Sequence, residues 1–375
     1  MTTAVPTNGG PTERRIVLSG WDHLELWVGN ARQSAQFFAS ALGFEIVAYA
    51  GPETGLSDRA SWVLEQGDVR LVVTGGLGPE TEVAHHHRAH GDGVRALAFR
   101  VGDAAAAYRA GLARGATGSS PPRTEEDDSG KLVRASLAAY GDTEHTLVER
   151  SAYSGVFAPG FSDDNLPESP PGPRVGLTAI DHVVANVELG RLDRWVEFYR
   201  EVFGFDRLVH FGDDQISTEY SALMSTVVWD GSRIKLPINE PAPGKGKSQI
   251  EEYLDYYGCP GVQHIALSTD DIVETVTALR RRGLRFLRVP ASYYDDARER
   301  MAGIELPWEE LAPLGILVDR DEEGHLLQIF GEMIGDRPTV FIEIIQREGA
   351  TGFGAGNFKA LFEAIEREQA KRGNL

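Results

Sequence analysis

The chain has 375 residues and a formal net charge of −19 at pH 7. Clustered Lys and Arg bind phosphate backbones, so we expect no nucleic-acid partner for so acidic a chain. No apolar run reaches the ~18 residues of a transmembrane helix, and the polar N-terminus lacks the apolar core of a signal peptide. The single cysteine, Cys259, excludes an internal disulfide and suits a reducing compartment. These features predict a cytoplasmic enzyme without a membrane partner.

The first half of the chain predicts two successive units, each made of a strand, a helix and further strands. Hydrophobic periodicity predicts helices over 31–42 and 104–113. Strands are predicted over 24–28, 44–49, 61–64, 69–73, 94–101, 132–138 and 146–149. A histidine-rich stretch at 85–90 lies between the units, and we expect it at the surface because no carboxylate or cysteine frame accompanies it.

The second half repeats this order after a proline-rich stretch at 159–174. Its predicted helices are 192–202 and 272–281. Its predicted strands are 182–187, 205–211, 220–229, 234–236, 262–268, 286–289, 315–318, 326–330 and 340–345. Two further helices have no counterpart in the first half. One lies near 249–257, and the other follows Gly356, with Asn357 as its expected N-cap.

These repeats predict an α+β fold with two tandem domains. Each domain would pair two βαβββ-type units into a curved, partly open mixed barrel around a cleft. The predicted boundaries are 15–158 for a degenerate N-terminal domain, 159–175 for a linker and 176–375 for a C-terminal catalytic domain. The last helix is expected to act as a lid over the site.

The two halves also open alike, with Trp21-Asp22-His23 in the first and Ile180-Asp181-His182 in the second. In the second half, His264 lies on the first strand of the next unit. The first half has Ala96 at the corresponding position, although it keeps His23 and Glu149. We therefore expect a complete set of metal ligands in the second half alone.

The candidate ligands of the second half are His182, His264 and Glu343, each on a predicted strand. Two imidazoles and one carboxylate leave coordination positions open for substrate and oxygen, which suits Fe(II). Glu343 lies between two isoleucines, and because an unpaired carboxylate is costly to bury, it needs a cation or a proton. A histidine in a strand can equally be a hydrogen-bonded structural residue, so the residues by themselves leave both interpretations open.

Several longer segments carry a family resemblance. In the second half they are IDHVVANVELGRLDRWVEFY from Ile180, EYSALMSTVV from Glu219, LPINEPAPGKGKSQIEEYL from Leu236, GVQHIAL from Gly261, ILVDRDEEGHLLQIF from Ile316, RPTVFIEIIQR from Arg337 and GFGAGNFKALFEAIEREQAKRGNL from Gly352. In the first half they are HGDGVRALAF and YGDTEHTLVER. In order and spacing, these segments resemble the 4-hydroxyphenylpyruvate dioxygenase family of the vicinal oxygen chelate superfamily, and the likeness covers nearly the whole chain.

The resemblance implies an enzyme that uses 4-hydroxyphenylpyruvate and O2 as substrates and Fe(II) as its cofactor. The implied reaction decarboxylates the oxo-acid side chain, hydroxylates the ring and moves the side chain. Its products are homogentisate and CO2, in the catabolism of tyrosine and phenylalanine. The resemblance also implies a homo-oligomer, either a dimer or a tetramer.

The resemblance further assigns residues to the site. It implies Fe(II) ligation by His182, His264 and Glu343, and catalytic roles for Ser225, Asn239, Gln263 and Gln328. It implies a substrate pocket lined by Ser225, Pro237, Asn239, Gln249, Gln263, Phe330, Phe341, Phe353, Asn357 and Phe358. Phenylalanine walls suit a phenol ring, and a few amide and hydroxyl groups would orient its polar ends.

Three alternatives stay open at this point. 4-Hydroxymandelate synthase uses the same substrate and iron site but oxidises the benzylic carbon, and Pro237-Ile238-Asn239 and Phe358 favour ring hydroxylation over it. Extradiol ring-cleavage dioxygenases share a His/His/Glu set but lack segments like LPINEPA and GFGAGNF. A non-enzymatic binding protein on the same scaffold would need no metal ligands.

Overall fold

The computed structural model describes residues 16–168, 171–212 and 222–374, apart from the side chains at 355 and 359. Several predicted features lie partly outside this range: the polar N-terminus, residue 15 of the first domain, part of the linker, the start of the strand predicted over 220–229, and residue 375. Within the described part of the chain, no helix is long and apolar enough to cross a bilayer.

The first half forms an eight-stranded sheet with helices packed against it. Its elements are β1 (Leu18–Val28), α1 (Ala31–Leu42), β2 (Glu45–Ala50), β3 (Arg59–Gln66), β4 (Val69–Gly76), α2 (Glu82–His90), β5 (Gly93–Val101), α3 (Ala104–Ala113), β6 (Gly118–Asp127), β7 (Gly130–Ala138) and β8 (Glu144–Glu149). Helices α1 and α3 have their predicted bounds because side-chain caps mark their starts. Asn30 accepts from the amide of Gln33, and Asp103 from that of Ala106.

The second half forms another eight-stranded sheet. Its elements are β9 (Leu177–Asn186), α4 (Leu192–Phe198), β10 (Asp206–Phe211), β11 (Ala222–Trp229), β12 (Lys235–Ala242), α5 (Gln249–Tyr257), β13 (Gly261–Thr269), α6 (Ile272–Arg281), α7 (Ser292–Arg300), α8 (Trp308–Leu314), β14 (Leu317–Arg320), β15 (His325–Phe330), β16 (Phe341–Glu348) and α9 (Ala355–Arg372). The helix predicted over 192–202 changes after Phe198 into a π-helical turn at Tyr199–Phe203.

The two sheets have the same strand order. The first is β2-β3-β4-β1-β5-β8-β7-β6, and the second is β10-β11-β12-β9-β13-β16-β15-β14. The two units of each half join through an antiparallel central pair, β1 with β5 and β9 with β13. Each central strand also pairs in parallel with the last strand of its own unit. This topology confirms the predicted α+β fold of two tandem domains built from paired units.

One predicted strand, 286–289, is wrong. This segment makes a single bridge, between Phe286 and Gly331, and the amide of Leu287 donates to Phe330 O at 2.9 Å. Pro290 has no amide hydrogen, so the ladder cannot continue. Four elements were not predicted. Helices α2 and α7 are largely polar, β6 is an exposed edge strand with two prolines, and α8 contains a proline.

The start of α9 corrects the predicted N-cap. The helix begins at Ala355, and Gly354 occupies the cap position with a left-handed φ of 70°, which glycine adopts without steric cost. The amide of Asn357 donates to Gly354 O at 2.8 Å. Asn357 therefore lies inside the first turn, and its side chain is free to bond elsewhere.

The two halves share one continuous hydrophobic core. The rings of Phe99 and Phe203 lie 6.1 Å apart across the junction, and His145 Nε2 is 2.8 Å from the Tyr199 hydroxyl. The amide of Leu177 donates to a side-chain oxygen of the first half at 2.9 Å. The domain boundaries at 158/159 and 175/176 stay a prediction.

The histidine-rich stretch was expected at the surface, but only part of it lies there. It forms α2, and because His86 and His90 are one turn apart on the same helix face, both are buried at the junction. The ring of His90 stacks on Tyr257 with centroids 4.7 Å apart, and its Nε2 is 2.9 Å from Asp142. Of this stretch's histidines, His85 is exposed and His87 is half-buried.

Candidate metal centre

Three neighbouring strands of the second sheet bring the candidate ligands together. His182 lies on β9, His264 on β13 and Glu343 on β16. Ala266 of β13 pairs with His182 on one side and with Glu343 on the other. His264 lies two residues earlier on β13 and so faces the same side of the sheet. The ligand atoms of all three therefore converge, within 4.8 Å of one another.

Both imidazoles point at a single carboxylate oxygen. Oε2 of Glu343 is 3.3 Å from His182 Nε2 and 3.2 Å from His264 Nε2. All three residues are buried, with exposed fractions of 2%, 4% and 1% in chain order. A buried carboxylate that faces two imidazole nitrogens is a suitable donor set for a divalent cation.

The other polar atoms of these ligands already have partners. The Nδ1 of His182 is 2.7 Å from Asp181 Oδ1, and the Nδ1 of His264 is 3.1 Å from Gln263 Oε1. The remaining oxygen of the glutamate accepts from Gln328 Nε2 at 2.8 Å. These bonds favour Nδ1–H tautomers and leave both Nε2 lone pairs for a metal.

The electrostatics of the site also favour a cation. Burial alone would raise the pKa of Glu343, but the two histidines outweigh it and lower that pKa to about 2. Burial opposes protonation of His182, yet Glu343 and Asp181 raise its pKa above the usual value. Burial lowers the pKa of His264. Without a metal, the carboxylate therefore needs a proton on a neighbouring imidazole, and a metal ion can replace that proton.

A cavity opens beside the three ligands. Eight of the ten predicted pocket residues line it, namely Pro237, Asn239, Gln249, Gln263, Phe330, Phe353, Asn357 and Phe358, together with Gln328, which was predicted as a catalytic residue. Its free volume is about 20 Å³, which is room for roughly one water molecule. The cavity is therefore nearly filled by its lining side chains in this conformation.

Two predicted pocket residues lie away from the cavity wall. Phe341 stacks behind His264, with ring centroids 4.7 Å apart and planes 23° from parallel. Ser225 lies on β11 opposite Asn239 of β12. It is fully buried, and its hydroxyl has no hydrogen-bond partner among the described residues. The structure brings both residues next to the lining without placing them in it.

Sequence reasoning missed three apolar residues of the lining: Val184, Leu223 and Leu361. Each could have been found by periodicity. Val184 lies two residues after a ligand on the same strand face, and Leu223 lies two residues before Ser225. Leu361 lies one helical turn beyond Asn357 and Phe358, on the same face of α9.

Helix α9 closes one side of the cavity, and its first turn bonds toward the ligands. Asn357 Nδ2 donates to Gln328 Oε1 at 2.9 Å, so a chain of two hydrogen bonds connects α9 to Glu343. The hydroxyl of Tyr293 donates to Asn357 Oδ1 at 2.6 Å. At the far end, Arg372 forms two hydrogen bonds with the buried Glu252 of α5.

The first half lacks this centre. His23 of β1 pairs with Ala98 of β5, as His182 pairs with Ala266. Two residues earlier on β5 is Ala96, at the position of His264, as expected from the sequence. On β8, the residue opposite Ala98 is Thr146, so Thr146 takes the place of Glu343. One of the three ligands thus has a counterpart in the first half.

The expectation that Glu149 is a remnant ligand is wrong. Glu149 lies three residues beyond the ligand position, and its carboxylate accepts from the amide of Ala104 at the start of α3. Gln346 holds the amide of Ile272 at the start of α6 in the same way. Both side chains therefore support the helix that follows the central strand.

Comparison with known proteins identifies the relatives of this chain. The family model described as Glyoxalase/Bleomycin resistance protein/Dioxygenase superfamily matches residues 20–149 and 179–329. The 4-hydroxyphenylpyruvate dioxygenase of Yarrowia lipolytica is 46% identical over 382 residues, covering 99% of this chain and 97% of that protein. The one of Caenorhabditis elegans is 47% identical over 365 residues, covering 95% and 93%.

A solved structure of a differently named enzyme shares the fold at lower sequence identity. A mutant 4-hydroxymandelate synthase from Streptomyces coelicolor is 35% identical, covers 94% of this chain and 99% of its own, and has a TM-score of 0.81. The paired units and the buried His/His/Glu group define a member of the glyoxalase and dioxygenase superfamily. Within it, the chain belongs to the 4-hydroxyphenylpyruvate dioxygenase family, which confirms the resemblance.

Proposed function

We propose that the protein converts 4-hydroxyphenylpyruvate and O2 to homogentisate and CO2, with Fe(II) held by His182, His264 and Glu343. One oxygen atom of O2 would enter the new carboxylate and the other the ring. The observation that carries the proposal is a buried His/His/Glu group beside an amide- and phenylalanine-lined cavity, in a chain of this family. When bound, Fe(II) would supply a redox-active centre at which O2 can react with an organic molecule, while the oxo-acid substrate supplies the electrons.

The cavity lining supports an orientation for the substrate. Gln328 bonds both Glu343 and Asn357 beside the ligands, so it is suited to meet the polar oxo-acid end. Phe330, Phe353 and Phe358 offer apolar ring faces to the phenol. Asn239, Gln249 and Gln263 supply amide groups on other walls of the cavity.

The polar pocket residues also contact one another. Gln263 Nε2 lies 3.4 Å from Gln249 Oε1, while its own oxygen faces His264. Asn239 Nδ2 lies 3.4 Å from Asn186 Oδ1. These long contacts leave hydrogen-bonding capacity for a ligand, and the hydroxyl of Ser225 behind them has no partner within the described part of the chain. We propose that Ser225 and Phe341 shape the pocket through Asn239 and His264.

Helix α9 is suited to act as a lid. A substrate of this size needs a few hundred Å³, whereas the cavity has about 20 Å³. Phe358 and Leu361 of α9 fill part of the space, so we propose that α9 moves outward to admit the substrate. Its return would exclude water from the reacting centre.

The product of the reaction tests the proposal. The protein is incubated with Fe(II), ascorbate and 4-hydroxyphenylpyruvate under air, and the product is identified by mass and retention time. Homogentisate with one equivalent of CO2 is the expected result. 4-Hydroxymandelate would instead assign the activity of the structural relative, and no turnover with intact Fe(II) uptake would contradict both.

Two further properties belong to this proposal. We propose that the chain assembles into a homo-oligomer, a dimer or tetramer, and that it acts in the cytoplasm. The support is the family membership and a single cysteine that is compatible with a reducing compartment. A native mass measurement that finds monomer alone would contradict the first part.

A further inference from the structure

Behind His182 lies an ion pair that the proposed reaction leaves without a role. Asp181 Oδ1 accepts a hydrogen bond from His182 Nδ1 at 2.7 Å. Arg347 holds the same carboxylate with Nε at 2.7 Å and Nη2 at 2.8 Å, one bond to each oxygen. The side chains of the pair are 9% and 15% exposed. A guanidinium fork of this kind fixes the plane of a carboxylate, and the carboxylate in turn fixes the imidazole.

Arg347 also reaches the segment that precedes α9. Its Nη1 donates to Gly352 O at 2.6 Å and to Ala350 O at 3.2 Å. Its guanidinium lies over the ring of Phe353, 5.3 Å from the centroid. Phe353 packs edge-on against His182 with ring centroids 5.0 Å apart. One arginine is therefore connected to the same ligand through a carboxylate and through an aromatic ring.

The first half repeats this cluster without the metal site. Asp22 lies 2.7 Å from His23 Nδ1, and Arg150 holds it at 2.6 and 2.7 Å. Arg150 also donates to Phe157 O at 2.8 Å, and the ring of Phe157 packs edge-on on His23 at 5.2 Å. The chain thus contains its own control, in which these contacts surround a histidine without its two partner ligands, and Asp22 accepts one further bond from Arg100 Nε at 3.2 Å.

We propose that Asp181 and Arg347 are positioning residues of the metal centre. They hold the ring of His182 with Nδ1–H toward Asp181 and Nε2 toward the metal, and they tie that ring to residues 350–353 before α9. The inference rests on the proposed function, because it requires His182 to be a metal ligand. Loss of such an outer partner lowers metal affinity by about 10–100-fold.

The experiment compares Asp181→Asn with Asp22→Asn, which make the same isosteric change at equivalent positions. The metal-free full chain is titrated with Co(II), whose visible absorption reports the geometry of its ligands. Asp181→Asn is expected to weaken Co(II) binding about 10–100-fold and to shift the absorption bands. Asp22→Asn is expected to bind Co(II) like the parent chain, even if its melting temperature falls.

Arg347→Lys and Arg150→Lys form a second matched pair, in case Asp181→Asn fails to fold. Lysine keeps the charge but cannot hold two carboxylate oxygens and two carbonyls together. Arg347→Lys should weaken Co(II) binding and speed amide hydrogen exchange over 350–358, while Arg150→Lys should do neither.

Three outcomes would overturn the inference. Unchanged Co(II) affinity and spectrum in Asp181→Asn and Arg347→Lys would do so. Equal losses in Asp181→Asn and Asp22→Asn would also do so, because the effect would then be one of general stability. A parent chain that binds no Co(II) would overturn the proposed function as well, so the two failures are distinguishable.

Discussion

The two halves of this chain are built on one plan, yet they differ at the residues that decide whether a metal can bind. They share the strand order, the Asp-His pair and the arginine behind it. They differ at His264 and Glu343, which Ala96 and Thr146 replace in the first half. Because the shared residues pack and bond equally well in both halves, their presence reports the duplication. The ligands on the partner strands report the chemistry.

The largest expected effect comes from removing a ligand in one half and its counterpart in the other. His182→Ala should abolish stoichiometric Fe(II) binding and lower kcat/KM by at least ~10³-fold, because a catalytic metal contributes several kcal/mol. His23→Ala, the matched change in the first half, should leave both within a few-fold. Metal analysis of the purified proteins and oxygen uptake measure these outcomes. A loss of Fe(II) in His23→Ala would show that the first half contributes to metal binding after all.

The second difference is the pair of helices α5 and α9, which the first half lacks among its described residues. Asn357→Ala removes the bond from α9 to Gln328 and leaves the buried Gln328 Oε1 without that donor, while the Tyr293 hydroxyl keeps its bonds to Val318. Since an unpaired buried polar group costs about 1–3 kcal/mol, kcat/KM should fall by roughly 10-fold or more. Steady-state kinetics with 4-hydroxyphenylpyruvate measure the change.

Asn374→Ala is the control for this prediction. It removes an amide at the other end of the same helix, where it bonds Glu252. Its kcat/KM should stay within about 2-fold of the parent value, because this bond does not involve the residues at the metal centre and the last residues of a chain contribute little to the stability of the rest. If both substitutions reduce turnover equally, α9 acts through overall docking and the bond to Gln328 has no special part.

Much of the fold was predictable because local signals mark it. Asn30, Asp103 and Asp271 each cap a helix that begins at the predicted residue. The three ligands were recognisable as unusual residues on apolar strands. Their convergence was not, because it depends on β9, β13 and β16 lying side by side, and no local pattern encodes that pairing. The family resemblance supplied it instead.

Two predictions were wrong because they misplaced a residue along its strand or helix. Glu149 was assigned as a remnant ligand, but β8 pairs with β5 so that Thr146 lies opposite Ala98. A shift of three residues along a strand cannot be read from composition. Asn357 is a good N-cap residue by type, yet Gly354 caps the helix three residues earlier than expected, and the asparagine serves the site instead.

A third difference between the halves concerns a buried histidine at their junction. His145 of the first half contacts the hydroxyl of Tyr199 in the second half. Burial lowers the pKa of His145 from 6.5 to about 3. As pH falls below 6.5, the unfolded chain takes up a proton that the folded chain refuses, so stability falls until about pH 3. The slope from this residue reaches at most about 1.4 kcal/mol per pH unit.

His145→Gln should therefore flatten the decline in melting temperature of the metal-free protein between pH 6.5 and 5. Tyr199→Phe is the control, because it removes the hydrogen bond to His145 but not the titrating group. It should lower stability by about 1 kcal/mol at both ends of the range without changing the slope. An unchanged slope in His145→Gln would mean that the imidazole is protonated in the folded state.

The smallest expected effect concerns the far end of α9. Glu252 is 1% exposed and accepts two hydrogen bonds from Arg372. Glu252→Gln keeps the shape but removes the charge, so it should weaken docking of the last helical turns by about 1 kcal/mol. This corresponds to roughly 5-fold faster amide exchange over 363–372, measured by mass spectrometry.

Lys371→Met is the control, because it breaks an exposed pair with Glu368 on the same helix. Such pairs contribute little, so it should leave exchange unchanged. If the two variants behave alike, the buried carboxylate of α5 does not hold the lid, and its closure depends on the contacts of Asn357 at the metal end.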